Sequence, residues 1–572
     1  MTLNDSILIN NVESFSSLLR FNSPIYIKEY GAGGTSSVSF RGTNASNTAV
    51  VWNGININSI NSGQSEFNSI NVSLFESIDI RSGGGSIEFG SGAVGGTIHL
   101  NNQLTFGNHF ENQVNSSVGS YNTFHNLYKL SYGNDKVSLR IGAAYNQSDN
   151  DYKWLGYNLK NENGNYKNTN LSLGFAYKIG KFSKVSFYSS NYNGSRNFSG
   201  ELPNPLSAKE KYKDLSFRNL IDFNYYKNQF NQILSLAYLT QEYQYFNDKN
   251  TSNYNFGKSE RLISKYTVNY KISGKSNIQS FSEYESTIGY TDEMDKQNRK
   301  QFSQSFIYSQ QFKNKIDFNA KVRKDFNSDY TVPLVVAFGA DLKPIKNILV
   351  RLNGSTNYKV PSYNDLYWPT LGNEDLIPES SEQGEMGIAF KNKQLKLDVG
   401  GFYINSKDKI VWTPNGDPNR PGVWVPINID HVINKGLELK MEFKINVIEH
   451  KFRFNANYSY TISENQKTNE MVPFVPKHLF NGNLGYSYKK TSLFYQHLFN
   501  GKIFTTTDNS NDYSVPYFII GNIGGSYNLI KNTKNQLDLG LKINNLFNEV
   551  YQVLPGRPMP NRTLNFNINY KF

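Results

Sequence analysis

The clearest pattern in the chain is a strict alternation of apolar and polar residues, repeated segment after segment from about Glu111 to the C-terminus. In the last segment the apolar positions are Leu564, Phe566, Ile568, Tyr570 and Phe572. Side chains along a β-strand point alternately to its two faces. Each segment is therefore predicted to be a strand with an apolar environment on one face and a polar one on the other.

Roughly 22 such segments, each of about 8 to 15 residues, follow one another, a length that suits tilted membrane strands. They are predicted to begin near Glu111, Phe124, Lys136, Thr169, Phe182, Asp214, Asn231, Leu262, Ser276, Lys300, Lys315, Pro333, Asn347, Gly384, Gln394, Ile433, His450, His478, Thr491, Tyr517, Asn535 and Arg562.

The connections between the segments alternate between short and long. Tight turns such as 133–135 and 179–181 separate long polar loops. The predicted long loops are residues 149–168, 191–213, 359–383, 406–432 and 547–561. Short turns on one side and long loops on the other are typical of membrane β-barrels, in which closure leaves no unpaired strand edge. The predicted fold is an all-β, 22-stranded antiparallel transmembrane β-barrel.

The first part of the chain follows a different pattern. Residues 1–105 are rich in glycine, serine and asparagine and lack long alternation. We therefore predict a small N-terminal α/β domain over 1–105, followed by the barrel over 106–572.

Composition changes this prediction little. Hydrophobic residues make up 38% of the chain and the mean hydropathy is −0.56. A membrane barrel tolerates such values because only every second residue of a strand faces lipid, and its aromatic girdles account for the 15% of aromatic residues. A soluble, tyrosine-rich β-adhesin is the alternative that composition leaves open.

Charge and cysteine content exclude several functions. The chain has no cysteine, which excludes disulfides, zinc–thiolate sites and thiol catalysis. The net charge is +12, but the lysines and arginines are spread along the strands, so no nucleic-acid partner is predicted. Charges on the lipid face are costly, so Arg140, Glu438, Lys440 and Asp538 are expected to face the lumen, within reach of the N-terminal domain.

Signatures of catalysis are missing from the sequence. Its seven histidines show no HExxH spacing, and no serine lies in a GxSxG motif, so no enzyme activity is predicted. Gly90, Gly92 and Gly95 match the dinucleotide fingerprint GxGxxG, but a strand-like stretch from Thr97 follows instead of a helix. These glycines are predicted to serve tight turns and close backbone packing.

Several stretches carry a resemblance to a known family. In the first domain they are 37–42 (SVSFRG), 50–55 (VVWNGI), 78–81 (IDIR) and 95–98 (GGTI). Residues 358–385 and the closing segment 544–572, which ends on Phe572, add two more. As an ordered set they resemble the plug and barrel motifs of TonB-dependent outer-membrane receptors, although Asn53 stands where the family usually has aspartate.

The resemblance implies a plug lying inside the barrel, the outer membrane of a Gram-negative bacterium, and TonB with its inner-membrane complex as the energising partner. It also implies a monomer in contact with lipid and lipopolysaccharide that takes up a scarce nutrient. The implied residues of the plug motif are Arg41, Gly42, Asn53, Gly54, Gly90, Gly92, Gly95 and Gly96. Phe572 would close the barrel.

Within the family, the plug and loops most resemble the cobalamin-receptor branch, including 41–47 (RGTNASN). A ferric-siderophore or haem receptor of the same fold is the first alternative. A passive porin is the second, although a porin lacks a folded N-terminal domain of this kind.

Two sets of loop residues are candidate ligand or metal contacts. Trp154, Trp368, Trp412 and Trp424 lie in or beside long loops and are candidates for contacting a large flat ligand, with an aromatic belt at the membrane boundary as the alternative. Asp149 and Asp151 are candidates for Ca²⁺ in an outer loop; a solvated loop is the alternative.

The N-terminus departs from the family pattern. Residues 1–10 do not form a signal peptide, and no TonB box is recognised before Ser14. The first part of the plug is therefore expected to be incomplete.

Overall fold

A computed structural model describes residues 1–4, 14–202, 204–415, 423–532 and 534–572. Its main body is a closed antiparallel barrel of 22 strands, as the alternating pattern predicts. Last and first strands pair directly, with Phe566 opposite Val118. In the described residues, no helix has the length and apolar character that crossing a membrane requires.

The N-terminal domain, which we call the plug, lies inside this barrel. Its helices and strands are β1 Thr2–Asn4, α1 Phe15–Asn22, β2 Tyr26–Glu29, β3 Ser36–Ser39, β4 Thr48–Trp52, β5 Ile55–Asn56, β6 Ser77–Ser82, α2 Ser86–Phe89 and β7 Gly96–Asn101. Five of the strands form one sheet in the order β1-β6-β7-β4-β5. A second pair, β2 and β3, forms a hairpin.

The strands after the plug comprise the 22 of the barrel and three small hairpins, which are β11–β12, β29–β30 and β33–β34. In chain order they are β8 His109–Gly119, β9 Thr123–Gly133, β10 Val137–Ser148, β11 Lys153–Trp154, β12 Leu159–Lys160, β13 Tyr166–Ile179, β14 Ser183–Asn197, β15 Lys211–Lys227, β16 Phe230–Phe246, β17 Asn255–Ser273, β18 Ser276–Thr291, β19 Gln297–Phe312, β20 Ile316–Asn327, β21 Val335–Leu342, β22 Ile348–Lys359, β23 Glu379–Lys391, β24 Leu395–Pro414, β25 Trp424–Val447, β26 His450–Asn465, β27 His478–Tyr488, β28 Thr491–Asn500, β29 Ile503–Phe504, β30 Ser514–Val515, β31 Phe518–Lys531, β32 Gln536–Asn544, β33 Gln552–Leu554, β34 Arg557–Pro558 and β35 Thr563–Lys571. A short helix, α3 Tyr363–Tyr367, lies in the loop between β22 and β23.

Three barrel strands begin well before their predicted starts, because their outer ends continue beyond the alternating segment. They are β17, β23 and β25. The prediction of a loop at 406–432 is wrong for most of that stretch, because β24 and β25 pair as a hairpin as far as Pro414 and Trp424. An outer extension need not face lipid, so its sequence carries no period-two signal.

The helix α1 illustrates how the plug is held in the lumen. Ser14 caps it by accepting a hydrogen bond from the backbone N–H of Ser17, and its apolar residues Leu18 and Leu19 are fully buried. Two barrel asparagines reach its C-terminal end: Asn481 donates to the carbonyl of Ser23 at 2.5 Å, and Asn483 to that of Phe21 at 2.8 Å. The barrel thus satisfies backbone groups that a helix end leaves free.

The plug core continues into the barrel wall. Plug residues such as Phe15, Trp52 and Ile98 share one buried apolar cluster with Leu220, Leu239 and Ile263 of strands β15, β16 and β17. This apolar contact fixes the height at which the plug meets these three strands.

Candidate ligand cavity and the plug contacts around it

A cavity of about 560 Å³ lies between the plug and the outer half of the barrel, on the side of the long loops. Its plug wall is formed by Thr35, Ser36, Ser59, Asn61, Ser62, Gln64, Ser65, Glu66, Ser69 and Ile70. Its barrel wall is formed by Tyr192, Arg196, Tyr212, Asp214, Leu215, Ser216, Arg218, Gln241, Glu242, Tyr243, Tyr245, Asn255, Phe256, Ser259, Thr291, Asp292, Glu293 and Met294, and the α3 loop adds Asn364, Tyr367, Trp368 and Pro369.

The plug wall is a compact loop held by its own hydrogen bonds. The backbone N–H of Ser59 donates to the carbonyl of Gln64 at 3.1 Å. The α3 loop contacts this plug loop, because the backbone N–H of Asn364 donates to the carbonyl of Asn61 at 2.8 Å. A molecule in the cavity would therefore touch both the plug and an outer loop.

Glu66 ties the plug wall to the barrel. Its carboxylate accepts hydrogen bonds from the backbone N–H groups of Ser36 and Asn68, each at 3.0 Å, and lies 3.5 Å from the guanidinium of Arg196. Arg196 also pairs with Asp214 at 3.1 Å. Burial raises the pKa of Glu66, and Arg196 opposes that rise.

The cavity is acidic although the whole chain is basic. Its charged residues are the carboxylates Glu66, Asp214, Glu242, Asp292 and Glu293 and the guanidinium groups Arg196 and Arg218. The remaining lining is mainly hydroxyl, amide and aromatic side chains, together with Ile70, Leu215, Met294 and Pro369. Such a surface attracts cationic ligands, tolerates neutral ones and disfavours polyanions.

Farther round the lumen, Arg41 is the principal ionic anchor of the plug. Its guanidinium donates to both carboxylate oxygens of Glu438, at 3.0 and 3.1 Å, and lies 3.0 Å from Glu385. It also lies over the ring of Phe402, with the guanidinium carbon 4.6 Å from the ring centre. Burial lowers the pKa of Arg41, but the two carboxylates outweigh it and raise the pKa above its usual value.

A second polar contact surrounds α2. Lys321 of β20 pairs with Glu88 at 2.8 Å, and Arg261 of β17 donates to the carbonyl of Asn56 at 2.8 Å. These charged and hydrogen-bonded contacts lie beside apolar ones, in which Ile263 of β17 joins the plug core and Ile87 of α2 packs among barrel residues.

The predicted motif glycines lie where backbones approach closely. A Cβ on Gly92 would come within 2.7 Å of the Ser46 carbonyl, and one on Gly96 within 2.8 Å of the Arg81 carbonyl. Gly90 has φ +71°, and a strand rather than a helix begins at Gly96, as expected if the GxGxxG match is unrelated to nucleotides. Asn53, at φ 45°, and Gly54 form the turn between β4 and β5.

The four candidate tryptophans are scattered. Trp368 lines the cavity and is 43% exposed, whereas Trp154, in the β11–β12 hairpin, is 1% exposed. Trp412 donates through Nε1 to Asp365 at 2.8 Å, and Trp424 is exposed at the start of β25. The structure therefore brings one of the four to the cavity.

Asp149 and Asp151 are both exposed and have separate partners. Asp149 accepts a hydrogen bond from Asn122 at 2.6 Å, and Asp151 lies 3.7 Å from Lys160. Within the described ranges, no three acidic or histidine side chains cluster as a metal site would require. A calcium ion at these residues stays a prediction.

The four charged residues that were predicted to face the lumen fall into two groups. Glu438 and Arg140 contact the plug, through Arg41 and Glu76 respectively. Asp538 instead bonds its barrel neighbours Asn528 and Gln536, and Lys440 lies 4.0 Å from Glu438. Residues 5–13, where no TonB box was recognised, lie outside the described residues.

Phe572 lies at the closing seam of the barrel. Its backbone exchanges two hydrogen bonds with Asn112, at 2.8 and 3.0 Å.

Sequence reasoning did not identify two features of the cavity, the ion pair between Arg196 and Glu66 and the guanidinium of Arg218. Alternation places Asp214, Ser216 and Arg218 on one face of β15, but it does not show at what height the plug meets that face.

His99 gives the plug a pH dependence that can be measured. It is buried in β7, and burial, followed by the charge of Arg81, lowers its pKa from 6.5 to about 4. The unfolded chain therefore takes up the proton first, so the plug loses stability as pH falls from about 6.5 towards 4, by up to about 3 kcal/mol. The protection factors of the β7 amides, which correct for the intrinsic slowing of exchange at lower pH, are expected to fall between pH 7 and 5.

The matched variant His99→Gln removes the titrating ring at this position. The difference in protection factor between pH 7 and 5 should shrink in that variant. An unchanged difference would assign the effect to other groups.

Two family models match the chain and meet near its domain boundary. The model described as "TonB dependent receptor-like, beta-barrel" matches residues 101–546, and the "TonB-dependent Receptor Plug Domain" matches residues 4–97.

Curated relatives match over nearly the whole chain at low identity. The vitamin B12 transporter BtuB of Photobacterium profundum is 21% identical over 561 residues, covering 98% of this chain and 90% of its own length. BtuB of Vibrio vulnificus is 24% identical over 440 residues, covering 74% of this chain and 68% of its own.

Solved structures share the fold. The siderophore receptor PirA from Acinetobacter baumannii aligns with a TM-score of 0.84 at 16% identity, covering 100% of this chain and 98% of its own. The copper transporter OprC aligns with a TM-score of 0.82 at 13% identity, covering 100% and 97%. Because the barrel model alone spans well over half of the residues, this chain belongs to the TonB-dependent receptors, a family of outer-membrane transport receptors rather than enzymes.

Proposed function

We propose that this receptor imports a corrinoid of the cobalamin class across the outer membrane, with TonB supplying the energy. The observation that carries the proposal is the lining of the outer cavity, which is acidic, rich in hydroxyl and amide groups, and aromatic on its barrel side.

The chemistry of a corrinoid fits this lining. Its ring carries neutral amide side chains, which the hydroxyls and amides of the plug wall, such as Ser62 and Gln64, can hydrogen-bond. Its flat apolar surfaces suit contact with Tyr243, Tyr245 and Trp368. The vitamin B12 transporters among the relatives support the same class of ligand.

Ferric catecholate siderophores suit the cavity less well. They are polyanions and would meet five carboxylates against two guanidinium groups, one of which, Arg196, is already paired with Glu66 and Asp214. Like charges held together in a partly desolvated site are unfavourable.

In the proposed cycle, the ligand binds between the plug wall and the α3 loop. TonB then pairs with a segment of the receptor on the periplasmic side, as an added strand, and pulling remodels the plug. We expect a monomer embedded in lipid and lipopolysaccharide. Calcium bound near Asp149 and Asp151 is a further expectation of the cobalamin branch.

Equilibrium binding to the detergent-folded full chain tests the ligand class, with cyanocobalamin and ferric enterobactin as probes and with and without Ca²⁺. We expect saturable binding of cyanocobalamin and much weaker binding of ferric enterobactin. The reverse preference in a folded barrel would reject the corrinoid proposal and favour a siderophore.

The variant Glu293→Gln is a matched control, because Glu293 lines the cavity and is exposed. Removing its charge should raise affinity for the anionic chelate and leave cyanocobalamin binding nearly unchanged.

The porin alternative has its own test. A stable open conductance of the wild-type protein in planar bilayers would favour a porin over a receptor.

A further inference from the structure

Arg218 differs from the other buried arginines of the lumen. It lies on the inward face of β15, lines the cavity, and is only 7% exposed. Among the described residues, no hydrogen bond or ion pair engages its guanidinium. Arg41, Arg196, Arg261 and Arg323, by contrast, each lie within reach of at least one carboxylate.

The neighbours of Arg218 on the adjacent strands are uncharged. On the adjacent strands its inward neighbours are Tyr188, Ser190, Tyr192, Ala237, Leu239 and Gln241. Along β15, Ser216 comes before Arg218, towards the long-loop end of the strand. Leu220, which is part of the plug core cluster, comes after it, towards the short-turn end. Arg218 therefore stands at the floor of the cavity, just above the apolar contact between plug and barrel.

A buried guanidinium without a counter-charge is costly, and an anion delivered into the cavity would remove that cost. Guanidinium groups bind phosphate oxygens through two parallel hydrogen bonds. Because the lining is otherwise acidic, a polyanion is disfavoured, whereas a large neutral body carrying one anionic group at one position is accommodated.

We propose that Arg218 binds the phosphodiester of the corrinoid's nucleotide loop and so selects complete corrinoids over those that lack the nucleotide. The inference rests on the proposed function, and it adds the orientation of the ligand. The nucleotide side would point towards β14–β16, and the amide-bearing ring edge towards the plug wall.

A two-by-two binding experiment tests this role. Cyanocobalamin carries the phosphodiester and dicyanocobinamide lacks it, and each is titrated into wild-type protein and into Arg218→Gln. We expect the substitution to weaken cyanocobalamin binding about tenfold to a hundredfold, as for loss of a charged hydrogen bond. Binding of dicyanocobinamide should change by less than about threefold.

Two controls separate recognition from damage to the site. Arg218→Lys keeps the charge and should recover part of the preference for cyanocobalamin. Ser216→Ala changes a neutral neighbour on the same face and should affect both ligands equally. Migration of the unheated variants as folded barrels on a gel checks assembly. Should Arg218→Gln not fold, higher salt must weaken cyanocobalamin but not dicyanocobinamide binding to the wild type.

The outcomes are distinguishable. Equal weakening of both ligands by Arg218→Gln, or no weakening of either, would overturn the role of Arg218 while leaving corrinoid uptake in place. If the wild-type protein binds neither corrinoid, the proposed function fails and the inference fails with it.

Discussion

Replacing Arg41 with alanine is expected to loosen the plug while the barrel stays folded. Arg41 is the shared partner of Glu438 and Glu385, and all three side chains are largely buried. Its removal leaves two carboxylates without their cation in the lumen. Breaking a buried pair in this way costs about 3–5 kcal/mol, more than the pair itself contributes.

Hydrogen exchange measures this loss directly. Amides of β3 and β4 in the plug should exchange faster by about two to four orders of magnitude, as 3–5 kcal/mol implies, while barrel amides keep their protection. Equal acceleration in plug and barrel would contradict a local anchor.

A charge-matched control tests the physical cause. Arg41→Met combined with Glu438→Gln and Glu385→Gln removes the cation and both anions together. Much of the lost protection should return, since no unpaired charge remains. If the triple variant is as loose as Arg41→Ala, shape rather than charge holds the plug at this position.

Arginine in place of Leu541 is expected to destabilise the barrel by about 2–4 kcal/mol in a lipid bilayer. Leu541 lies near the middle of β32 and is 52% exposed on the outer face, whereas its neighbour Lys542 points inward and is 8% exposed. A charge at this height would have to enter the hydrocarbon layer. Urea unfolding of the protein in vesicles, followed by tryptophan fluorescence, measures the difference.

Leu529→Arg is the matched control for that substitution. Leu529 is 48% exposed on the outer face of β31, close to the short turn that leads into β32. A charge near the interface costs only about 0–1 kcal/mol. If both substitutions lowered the free energy of unfolding by similar amounts, Leu541 would not lie at the middle of the hydrocarbon layer.

The barrel was predictable because its signal is local. One strand such as β35 reveals its two faces within nine residues, and the turn lengths reveal the order of the strands. The outer part of the β24–β25 hairpin was not predictable, because neither of its faces needs to be apolar. The plug rested on resemblance, since its short strands have no repeating pattern.

The cavity could not be predicted for a different reason. Tyr192, Ser259 and Ser65 are far apart in sequence and meet only because the plug core docks against Leu220, Leu239 and Ile263 at one height. Trp154 shows a second limit of prediction from sequence. Its place in a long loop made it a candidate for ligand contact, but its side chain is buried and does not line the cavity.

The seam between the first and last strands constrains how the chain can fold. Gln113 donates to Asn569 at 2.7 Å, a contact between residues 456 positions apart. Contacts so distant in sequence form slowly, because a long loop must close before they stabilise anything. Until β35 has been synthesised, one edge of β8 has no partner strand, and an open edge invites pairing with other chains. The barrel can therefore close only after β35 has been made. Until then the nascent protein needs a chaperone that keeps the free edge of β8 from pairing with other chains.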